Sequence, residues 1–595
     1  MVLEKMFRNA IFKIAYLLLL VYSLNAQSIK VNSVEPVQNL IGAVSYSEIK
    51  VVINTSVKPA QYNKKQIFRI YGSNSGLVLG KTEIDTVMNV FIFTPERPFF
   101  SGEIIDASFG PLINDNDTLR SFNWRFTIEI TNPTVANFDS LSRYNYPSFS
   151  PIAIDYNKDG YIDIVSGTGR VLYNDGHGRF VRSEQIPEIY DIGYMVDVNN
   201  DGIVDIITKG GTISLGNESG KYSKHQVLNS GIIIATGDVN GDGYIDLISK
   251  ESFNGEFNII WRKFINDGTG TFIRDSNATF LGEAITKSQL VDMDNDGDLD
   301  FVLLRTYDIA SPNPEEVTYV YYNNGRGAFN GYIKRRFELL PEKYESINDL
   351  EQLYVIDYDR NGLNDVAGFG SVGGGTVLLQ EAPEIFHAYS NKTYFSRGGN
   401  FAFFTSGDVN GDNRFDIVVS NYQVCMECGD SAEVTFGIEI NSPDSLFNYY
   451  GRKSFKLGQR KEVGVAVVPV MADIENDGDL DIIHTGYPTT VTFNRKIITS
   501  VKRQDEIPSS FELFQNYPNP FNSSTILTFE LPGDNFMELK LYDLLGQEIK
   551  VIEKGFVNKG EHKVLLNAQT LSSGTYFCVL TQGNYYSKIK LILIK

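Results

Sequence analysis

A nine-residue acidic segment occurs seven times between residues 155 and 481, and it constrains the fold of this chain more than any other feature. Each copy has Asp at positions 1 and 9, oxygen-bearing side chains at positions 3 and 5, and Gly or Asn at position 6. In chain order, loops 1 to 7 begin at Asp155, Asp197, Asp238, Asp292, Asp357, Asp408 and Asp473. Repeats spaced by 41 to 65 residues are typical of β-propellers, which use one small sheet per repeat. We therefore expect an all-β fold with a seven-bladed propeller over residues 137–500.

The spacing within each loop matches the coordination chemistry of calcium. Calcium takes six to eight oxygen ligands, and a short loop supplies them from alternate positions if one residue accepts a positive φ. Positions 1, 3, 5 and 9 offer side-chain oxygens, and position 7 offers its backbone carbonyl. Asp-Gly is also an ordinary hairpin turn, but a turn does not need four oxygen donors. The apolar runs that follow the loops, such as IDIVSG, are typical of strands, so the loops join strands and not helices.

The chain is therefore predicted to bind up to seven Ca²⁺ ions, one per loop. The predicted ligands, loop by loop, are Asp155, Asn157, Asp159, Tyr161 and Asp163; Asp197, Asn199, Asp201, Ile203 and Asp205; Asp238, Asn240, Asp242, Tyr244 and Asp246; Asp292, Asp294, Asp296, Asp298 and Asp300; Asp357, Asp359, Asn361, Leu363 and Asp365; Asp408, Asn410, Asp412, Arg414 and Asp416; Asp473, Glu475, Asp477, Asp479 and Asp481.

Two of the seven loops depart from the pattern. Asn361 replaces the carboxylate at position 5 of loop 5, and Asn413 replaces the glycine of loop 6, so these two sites are expected to be the weakest.

Positions 1, 3, 5 and 9 of the seven loops together carry 23 carboxylates, and seven calcium ions would change the formal charge from −20 to −6. Without metal, like charges crowd within each loop and oppose folding.

A second turn follows several loops: YNDGHGRF from Tyr173, INDGTGTF from Ile265 and YNNGRGAF from Tyr322. The closing aromatic residue is expected to pack on the sheet. An Asp-rich loop, an apolar strand and this turn together resemble the FG-GAP and VCBS repeats of integrin-α-like propellers. The resemblance implies structural calcium, with ligands meeting the face or rim of the propeller.

Different segments flank the repeats. Residues 1–26 have the basic start, short apolar run and small closing residues of a signal peptide. Alternating segments between residues 28 and 132 predict a β-sandwich. Its stretches VEPVQN, VVINTSVKP and FTPERPFFSGE are similar to bacterial Ig-like domains, which implies a spacer or an adhesive module. Residues 501–510 read as a polar linker.

The C-terminal segment, residues 511–595, carries a distinctive set of motifs. NYPNPFN, YDLLGQE and LSSGTYF resemble the type A sorting domain of type IX secretion. The resemblance implies Sec export, engagement of the type IX machinery, and a secreted or outer-membrane-attached product. Outside the signal peptide, no apolar run is long enough for a transmembrane helix, so none is expected in the mature chain.

The function expected from these features is a non-catalytic, calcium-binding adhesion or ligand-binding scaffold with an unknown glycan or protein ligand. Net negative charge argues against nucleic acid. The five histidines are scattered, His484 is expected to pack on a strand, and the common hydrolase and nucleotide-binding motifs are absent. The alternatives are a polysaccharide lyase or glycosidase using the propeller channel, and a structural surface-layer component.

Cys425 and Cys428 are close enough in sequence to form a local disulfide, with free thiols as the alternative.

Overall fold

The computed structural model describes most of the chain, and every described element is a β-strand. The described residues are 29–45, 47–55, 67–113, 118–131, 138–144, 150–252, 259–282, 285–305, 317–336, 350–370, 374–389, 402–425, 431–442, 445–459, 467–485, 489–494, 512–514, 516, 519–522, 524–531, 535–543, 548–557, 560–568, 571–582 and 585–594. The all-β prediction is confirmed over these residues. The signal peptide, the linker and Cys428 lie outside them. The described part contains no helix long and apolar enough to span a bilayer.

The chain divides into two compact units, Met1–Ile497 and Ile498–Lys595. The first unit begins with a β-sandwich. Its strands are β1 (Val31–Glu35), β2 (Leu40–Ala43), β3 (Ile49–Ile53), β4 (Phe68–Gly72), β5 (Gly76–Leu77), β6 (Gly80–Asp85), β7 (Val90–Pro95), β8 (Ile104–Phe109), β9 (Leu112–Ile113), β10 (Thr118–Leu119) and β11 (Phe122–Ile128).

Two main sheets enclose the core of the sandwich, in the orders β1-β3-β7-β6 and β2-β11-β8-β4-β5, and β9 pairs with β10. Alternation along β3 buries Ile49, Val51 and Ile53 on one face, as expected for a strand with one side on a core. The opposite face of the five-stranded sheet is turned away from this core. That face includes Arg69 and Tyr71, which alternate with the core residues Phe68 and Ile70 along β4.

Seven four-stranded antiparallel sheets follow, and each of the seven loops joins the first two strands of one sheet. Sheets 1 to 6 are β13 (Ile152–Ile154), β14 (Asp163–Val165), β15 (Arg170–Asn174) and β16 (Phe180–Gln185); β17 (Ile192–Val196), β18 (Asp205–Thr208), β19 (Thr212–Gly216) and β20 (Tyr222–Val227); β21 (Ile232–Gly237), β22 (Asp246–Ser252), β23 (Ile259–Asn266) and β24 (Phe272–Gly282); β25 (Ile285–Val291), β26 (Asp300–Arg305), β27 (Val317–Asn323) and β28 (Phe329–Arg336); β29 (Leu350–Ile356), β30 (Asp365–Gly370), β31 (Gly374–Ala382) and β32 (Ile385–Tyr389); β33 (Ala402–Gly407), β34 (Asp416–Cys425), β35 (Ser431–Ser442) and β36 (Ser445–Gln459).

Sheet 7 is assembled from both ends of the repeat region. It contains β37 (Val467–Ala472), β38 (Asp481–Thr485) and β39 (Thr489–Asn494), and its outer strand is β12 (Phe138–Tyr144), which precedes sheet 1 in the chain. β12 pairs antiparallel with β39. The start and the end of the repeat region are therefore held together by one hydrogen-bonded ladder.

Apolar clusters join each sheet to the next. Ile154 and Val165 of sheet 1 share a cluster with Ile192 and Ile206 of sheet 2, and similar clusters join every later pair of consecutive sheets. A further cluster joins sheet 7 to sheet 1. The closing aromatic residues of the second turns, Phe180, Phe272 and Phe329, are buried in these clusters as expected.

Asparagines at or near the end of the third strand of a repeat connect neighbouring sheets. Asn174 Nδ2 donates to Ile162 O of its own loop at 3.0 Å and to Ile474 O of loop 7 at 2.7 Å. Asn266, Asn323, Asn441 and Asn494 likewise donate to the position-2 carbonyl of the preceding loop. Gly216 and Gln380 occupy this place in sheets 2 and 5. The asparagines therefore fasten five of the seven loops to a neighbouring sheet.

Replacing Asn174 with Ala is expected to lower the free energy of unfolding by about 2–4 kcal/mol, because two buried carbonyls lose their donor. The matched control is Asn217→Ala, since Asn217 lies in the exposed second turn of sheet 2. Denaturant unfolding in excess calcium measures both variants. Equal effects of the two substitutions would mean that the bond between sheets 1 and 7 contributes nothing.

The second unit is a small two-sheet domain. Its strands are β40 (Glu512–Leu513), β41 (Ser524–Leu531), β42 (Asn535–Tyr542), β43 (Glu548–Val557), β44 (Gly560–Asn567), β45 (Gly574–Gln582) and β46 (Tyr585–Leu593). The sheet orders are β40-β41-β44 and β43-β42-β45-β46. The core includes Leu527, Phe529, Leu539, Cys578 and Leu591, and burial raises the pKa of the Cys578 thiol to about 12.

Candidate metal centres on the seven loops

The seven loops share one backbone conformation. Position 6 has a positive φ in all seven, including 61° at Asn413, so Asn supports the left-handed conformation where glycine is missing. Position 4 also has a positive φ in every loop, although Lys158 and Arg360 stand there in loops 1 and 5. The residue at position 4 varies too much in type for the sequence to have shown this second constraint.

The Asp at position 1 organises the loop by accepting backbone hydrogen bonds. In loop 4, Asp292 Oδ2 accepts the Gly297 N–H at 2.8 Å and Oδ1 accepts the Asp296 N–H at 3.2 Å. Loops 2, 3, 5, 6 and 7 repeat this pair of bonds. In loop 1, Asp155 Oδ2 accepts the Gly160 N–H, whereas the buried Oδ1 has no hydrogen-bond partner.

The Asp at position 9 is almost fully buried at the start of the second strand. Asp300 Oδ2 accepts the N–H of Met293 at position 2, and its Oδ1 accepts the N–H of Asn323 in the second turn. The corresponding pair of bonds recurs in loops 2, 3, 5, 6 and 7. In loop 1, Asp163 Oδ1 accepts the Asn174 N–H and its buried Oδ2 has no partner. This carboxylate thus links the loop to the turn two strands away.

Carboxylates converge most closely in loops 4 and 5. Oxygens of Asp292, Asp294 and Asp300 lie within 4.8 Å of one another, and so do oxygens of Asp357, Asp359 and Asp365. Asp294 Oδ1 is buried without a hydrogen-bond partner. Convergence in loop 5 is notable because the sequence places that loop among the weakest. Position 5, where Asn361 stands, is not needed to bring the other three carboxylates together.

The electrostatics of the loops reflect burial and crowding of like charges. Burial, reinforced by neighbouring carboxylates, raises the pKa of Asp292 to about 7 and the pKa of Asp300 to about 8. The same causes raise the pKa of Asp479 to about 8. Both oxygens of the buried Asp479 side chain lack a partner, although the sequence pattern assigns position 7 only a backbone ligand. Unpartnered buried oxygens facing neighbouring carboxylates fit a hard divalent cation such as Ca²⁺.

The sandwich covers all seven loops, which the sequence does not indicate. Its contact residues follow the order of the loops around the repeat region. The contacts are Asn74 O with Asp155 N, Tyr71 Oη with Asp197 N, Arg69 with Asp238, Gln38 with Asp292, Asn39 with Gly362 O, Gly42 with Asn413, and Gly102 with Leu480. At Gly42 the approach is so close that a Cβ would lie 2.3 Å from Asn413 Oδ1. The sandwich is therefore docked on the loops and is not a detached spacer.

A cavity of about 360 Å³ lies between the sandwich and the first strands of sheets 1 to 4. Its lining includes Arg69, Tyr71 and Arg125. Arg125 Nε donates to Asp106 at 2.7 Å, and Tyr71 exchanges hydrogen bonds with the Asp197 backbone. Burial raises the pKa of Tyr71 well above its usual value. These polar side chains are engaged in contacts that hold the sandwich and the sheets in place.

His484 is buried in sheet 7, as the sequence predicts. Its ring nitrogens lie 3.2 Å from Ser420 Oγ and 3.0 Å from Thr492 Oγ1. Burial lowers the pKa of His484 to about 4. The folded chain therefore keeps this ring neutral at pH values where the unfolded chain protonates it.

Acidification should therefore destabilise the fold through His484 between pH 6.5 and pH 4, because only the unfolded state binds the proton there. From pH 7 to pH 5 this contribution is about 2 kcal/mol. The stability lost over that interval should be smaller by this amount in His484→Gln than in the parent chain, with calcium saturating. His177→Gln, at an exposed turn, should follow the parent. Parallel curves for His484→Gln and the parent would contradict the assignment.

Comparison with known proteins identifies the C-terminal unit. Residues 515–595 match the secretion system C-terminal sorting domain family, which confirms the predicted type IX sorting domain. This domain implies interaction with the type IX secretion machinery, and the chain is secreted or attached to the cell surface. No curated protein matches the sequence.

Solved structures resemble the chain only weakly. Domains 1–6 of the surface-layer protein SbsC are 11% identical, with 96% of this chain and 54% of that chain covered and a TM-score of 0.15. PorZ of Porphyromonas gingivalis, a surface component of the type IX secretion system, is 12% identical, with coverages of 96% and 82% and a TM-score of 0.17. A Bacteroides thetaiotaomicron protein of unknown function is 11% identical, with coverages of 78% and 98% and a TM-score of 0.25. The chain spans about half the length of the SbsC chains it matches.

Proposed function

We propose that this secreted or surface-attached chain is a seven-bladed β-propeller that binds one calcium ion in each Asp-rich loop and serves as a non-catalytic ligand-binding scaffold. The propeller assignment is supported by the seven four-stranded sheets and by the apolar clusters that join consecutive sheets and return from sheet 7 to sheet 1. β12 completes sheet 7 from the other end of the repeat region. Each sheet would form one blade.

The observation that carries the calcium assignment is the convergence of the Asp292, Asp294 and Asp300 carboxylates. Within this group the buried Oδ1 of Asp294 has no hydrogen-bond partner. Six to eight oxygens complete a calcium shell, and the side chains of positions 1, 3, 5 and 9 together with the position-7 carbonyl are the donors available. Burial and neighbouring carboxylates raise the pKa values of these groups, and bound calcium would offset both effects by supplying positive charge. The ion would therefore be structural, holding each loop between two strands.

Calcium stoichiometry tests the assignment. The mature chain should bind close to seven calcium ions, measured by metal analysis after equilibrium dialysis. Asp294→Ala should bind one fewer, because loop 4 loses an unpartnered ligand oxygen. Asp267→Ala is the matched control, since Asp267 lies in an exposed second turn. A stoichiometry near zero, or equal values for the two variants, would refute calcium binding by these loops.

The scaffold role is supported by the surfaces that stay exposed. The sandwich occupies the loop side, so a ligand would meet the outer edge or the opposite side of the sheets. Val181, Val227 and Ile273 are exposed on the outer strands of sheets 1, 2 and 3. Singly exposed apolar residues are ordinary on a protein surface, so these side chains would contribute to a partner site only as one contiguous patch.

An array of glycans and surface proteins, probed with the mature chain in calcium and in chelator, tests this role. The scaffold proposal predicts calcium-dependent binding without turnover. Release of unsaturated or reducing sugars from a polysaccharide panel would favour the enzymatic alternative. Self-assembly without any bound ligand would favour a surface-layer component.

A further inference from the structure

The sandwich brings different chemistry to different loops. Arg97 Nη1 lies 3.8 Å from Asp155 Oδ2 of loop 1 and also donates to Lys158 O of the same loop. Arg69 Nη2 lies 3.8 Å from Asp238 Oδ2 of loop 3. Loop 4 receives a neutral group instead, because Gln38 Nε2 donates to Asp292 Oδ2 at 2.9 Å. All three contacts reach the position-1 carboxylate.

The two arginines differ in their surroundings. The Arg69 side chain is only 8% exposed and also donates to Gly110 O, Ser108 Oγ and Ser121 Oγ. Together with Asp238, these contacts fix the position of the guanidinium. The Arg97 side chain is 60% exposed. Each places a positive charge beside a carboxylate that calcium would share. In loop 1, Lys158 at position 4 supplies a second cation near Asp155, and Arg97 adds to it. Among the described residues no cation forms an ion pair with Asp292, although Arg120 lies near Asp298 of the same loop. Loop 4 carries four carboxylates at positions 1, 3, 5 and 9.

We propose that Arg97 and Arg69 of the sandwich are built-in counter-cations of loops 1 and 3, so that these two loops bind calcium more weakly than loop 4, where Gln38 only orients its carboxylate. This inference rests on the proposed calcium function. It adds a second criterion to the ranking expected from sequence, in which the substitutions at Asn361 and Asn413 make loops 5 and 6 the weakest. The arginines act through the carboxylates and are positioning residues, not ligands.

The expected effect of the arginine on calcium affinity follows from Coulomb's law. A guanidinium next to a ligand carboxylate repels a divalent cation that lies a few ångströms further away. At a water-like dielectric this repulsion weakens the free energy of calcium binding by about 1 kcal/mol. At the exposed Arg97 this corresponds to about a fivefold change in affinity. Salt screens exposed charges, so the change should shrink as ionic strength rises.

The experiment titrates the full mature chain with Ca²⁺ at low salt against a competing chelator dye. Arg97→Gln should raise the affinity of one site about fivefold, with less gain at about 1 M salt. Arg182→Gln is the matched control, because Arg182 is equally exposed and pairs with Glu184 away from the loops. In a background where Asp159→Ala disables loop 1, Arg97→Gln should have no effect.

Three results would overturn the proposal: unchanged affinity in Arg97→Gln, lower affinity in Arg97→Gln, or a gain that persists when loop 1 is disabled. Lower affinity would mean that Arg97 orients Asp155 for the metal. A parent chain that binds no calcium would instead refute the proposed function itself, so the two failures are distinguishable. Arg97 is exposed, and its replacement leaves the core of the sandwich unchanged.

Discussion

Removing calcium should lower the melting temperature of the mature chain by more than about 15 °C at neutral pH. Each site filled at about 100 times its dissociation constant stabilises the folded state by about 2.7 kcal/mol, if the unfolded chain does not bind. Several such sites together match the whole stability of an ordinary domain. The loss should be large because the emptied loops also hold 23 carboxylates at close quarters.

Differential scanning calorimetry in calcium, in chelator and in chelator followed by excess calcium measures this effect. Magnesium is the ionic control, since it requires smaller, octahedral sites and gives up its water reluctantly. Recovery of the original melting temperature with calcium, and little recovery with magnesium, is the expected pattern. A shift of less than about 3 °C would exclude calcium as a structural ion here.

Replacing Arg69 with Met should destabilise the first compact unit by about 3–5 kcal/mol in chelator, because it leaves the buried Asp238 carboxylate without its cation. The side chains of Arg69 and Asp238 are only 8% and 5% exposed. In saturating calcium the loss should be smaller, because the metal itself neutralises Asp238. Met keeps most of the side-chain volume, so the effect reports charge and hydrogen bonding more than packing.

Arg182→Met is the control, since the Arg182–Glu184 pair is exposed and such pairs contribute at most about 1 kcal/mol. Denaturant unfolding measures the free energies, and limited proteolysis reports whether the sandwich detaches from the loops. Equal losses in calcium and in chelator would show that Arg69 and the metal do not share Asp238.

Much of the candidate site was predictable because its donors lie close in sequence. Positions 1, 3, 5 and 9 sit on one short loop, so the pattern from Asp292 to Asp300 already brings together the carboxylates that converge in the structure. The strands that follow were readable from their β-branched runs. The sorting domain was equally local, since motifs such as NYPNPFN mark it without reference to the rest of the fold.

Other features depend on residues far apart in the chain. The neutral state of His484 follows from burial beside Ser420, and the bond from Asn174 to Ile474 O spans 300 residues. The sequence marks the second-turn asparagines only as turn formers. The structure shows that three of them, together with Asn441 and Asn494, also fasten a neighbouring loop.

Sequence alone determined which oxygen-bearing side chains each loop carries, the all-β class and the export route. Loop donors and sorting motifs lie close together in the chain, so they can be recognised without the rest of the fold. Only the tertiary structure decided that the sandwich lies on the loops, placing Arg69 on Asp238 and Gln38 on Asp292 across 169 and 254 residues. Such contacts arise from the packing of whole sheets, and their charges make otherwise similar loops unequal.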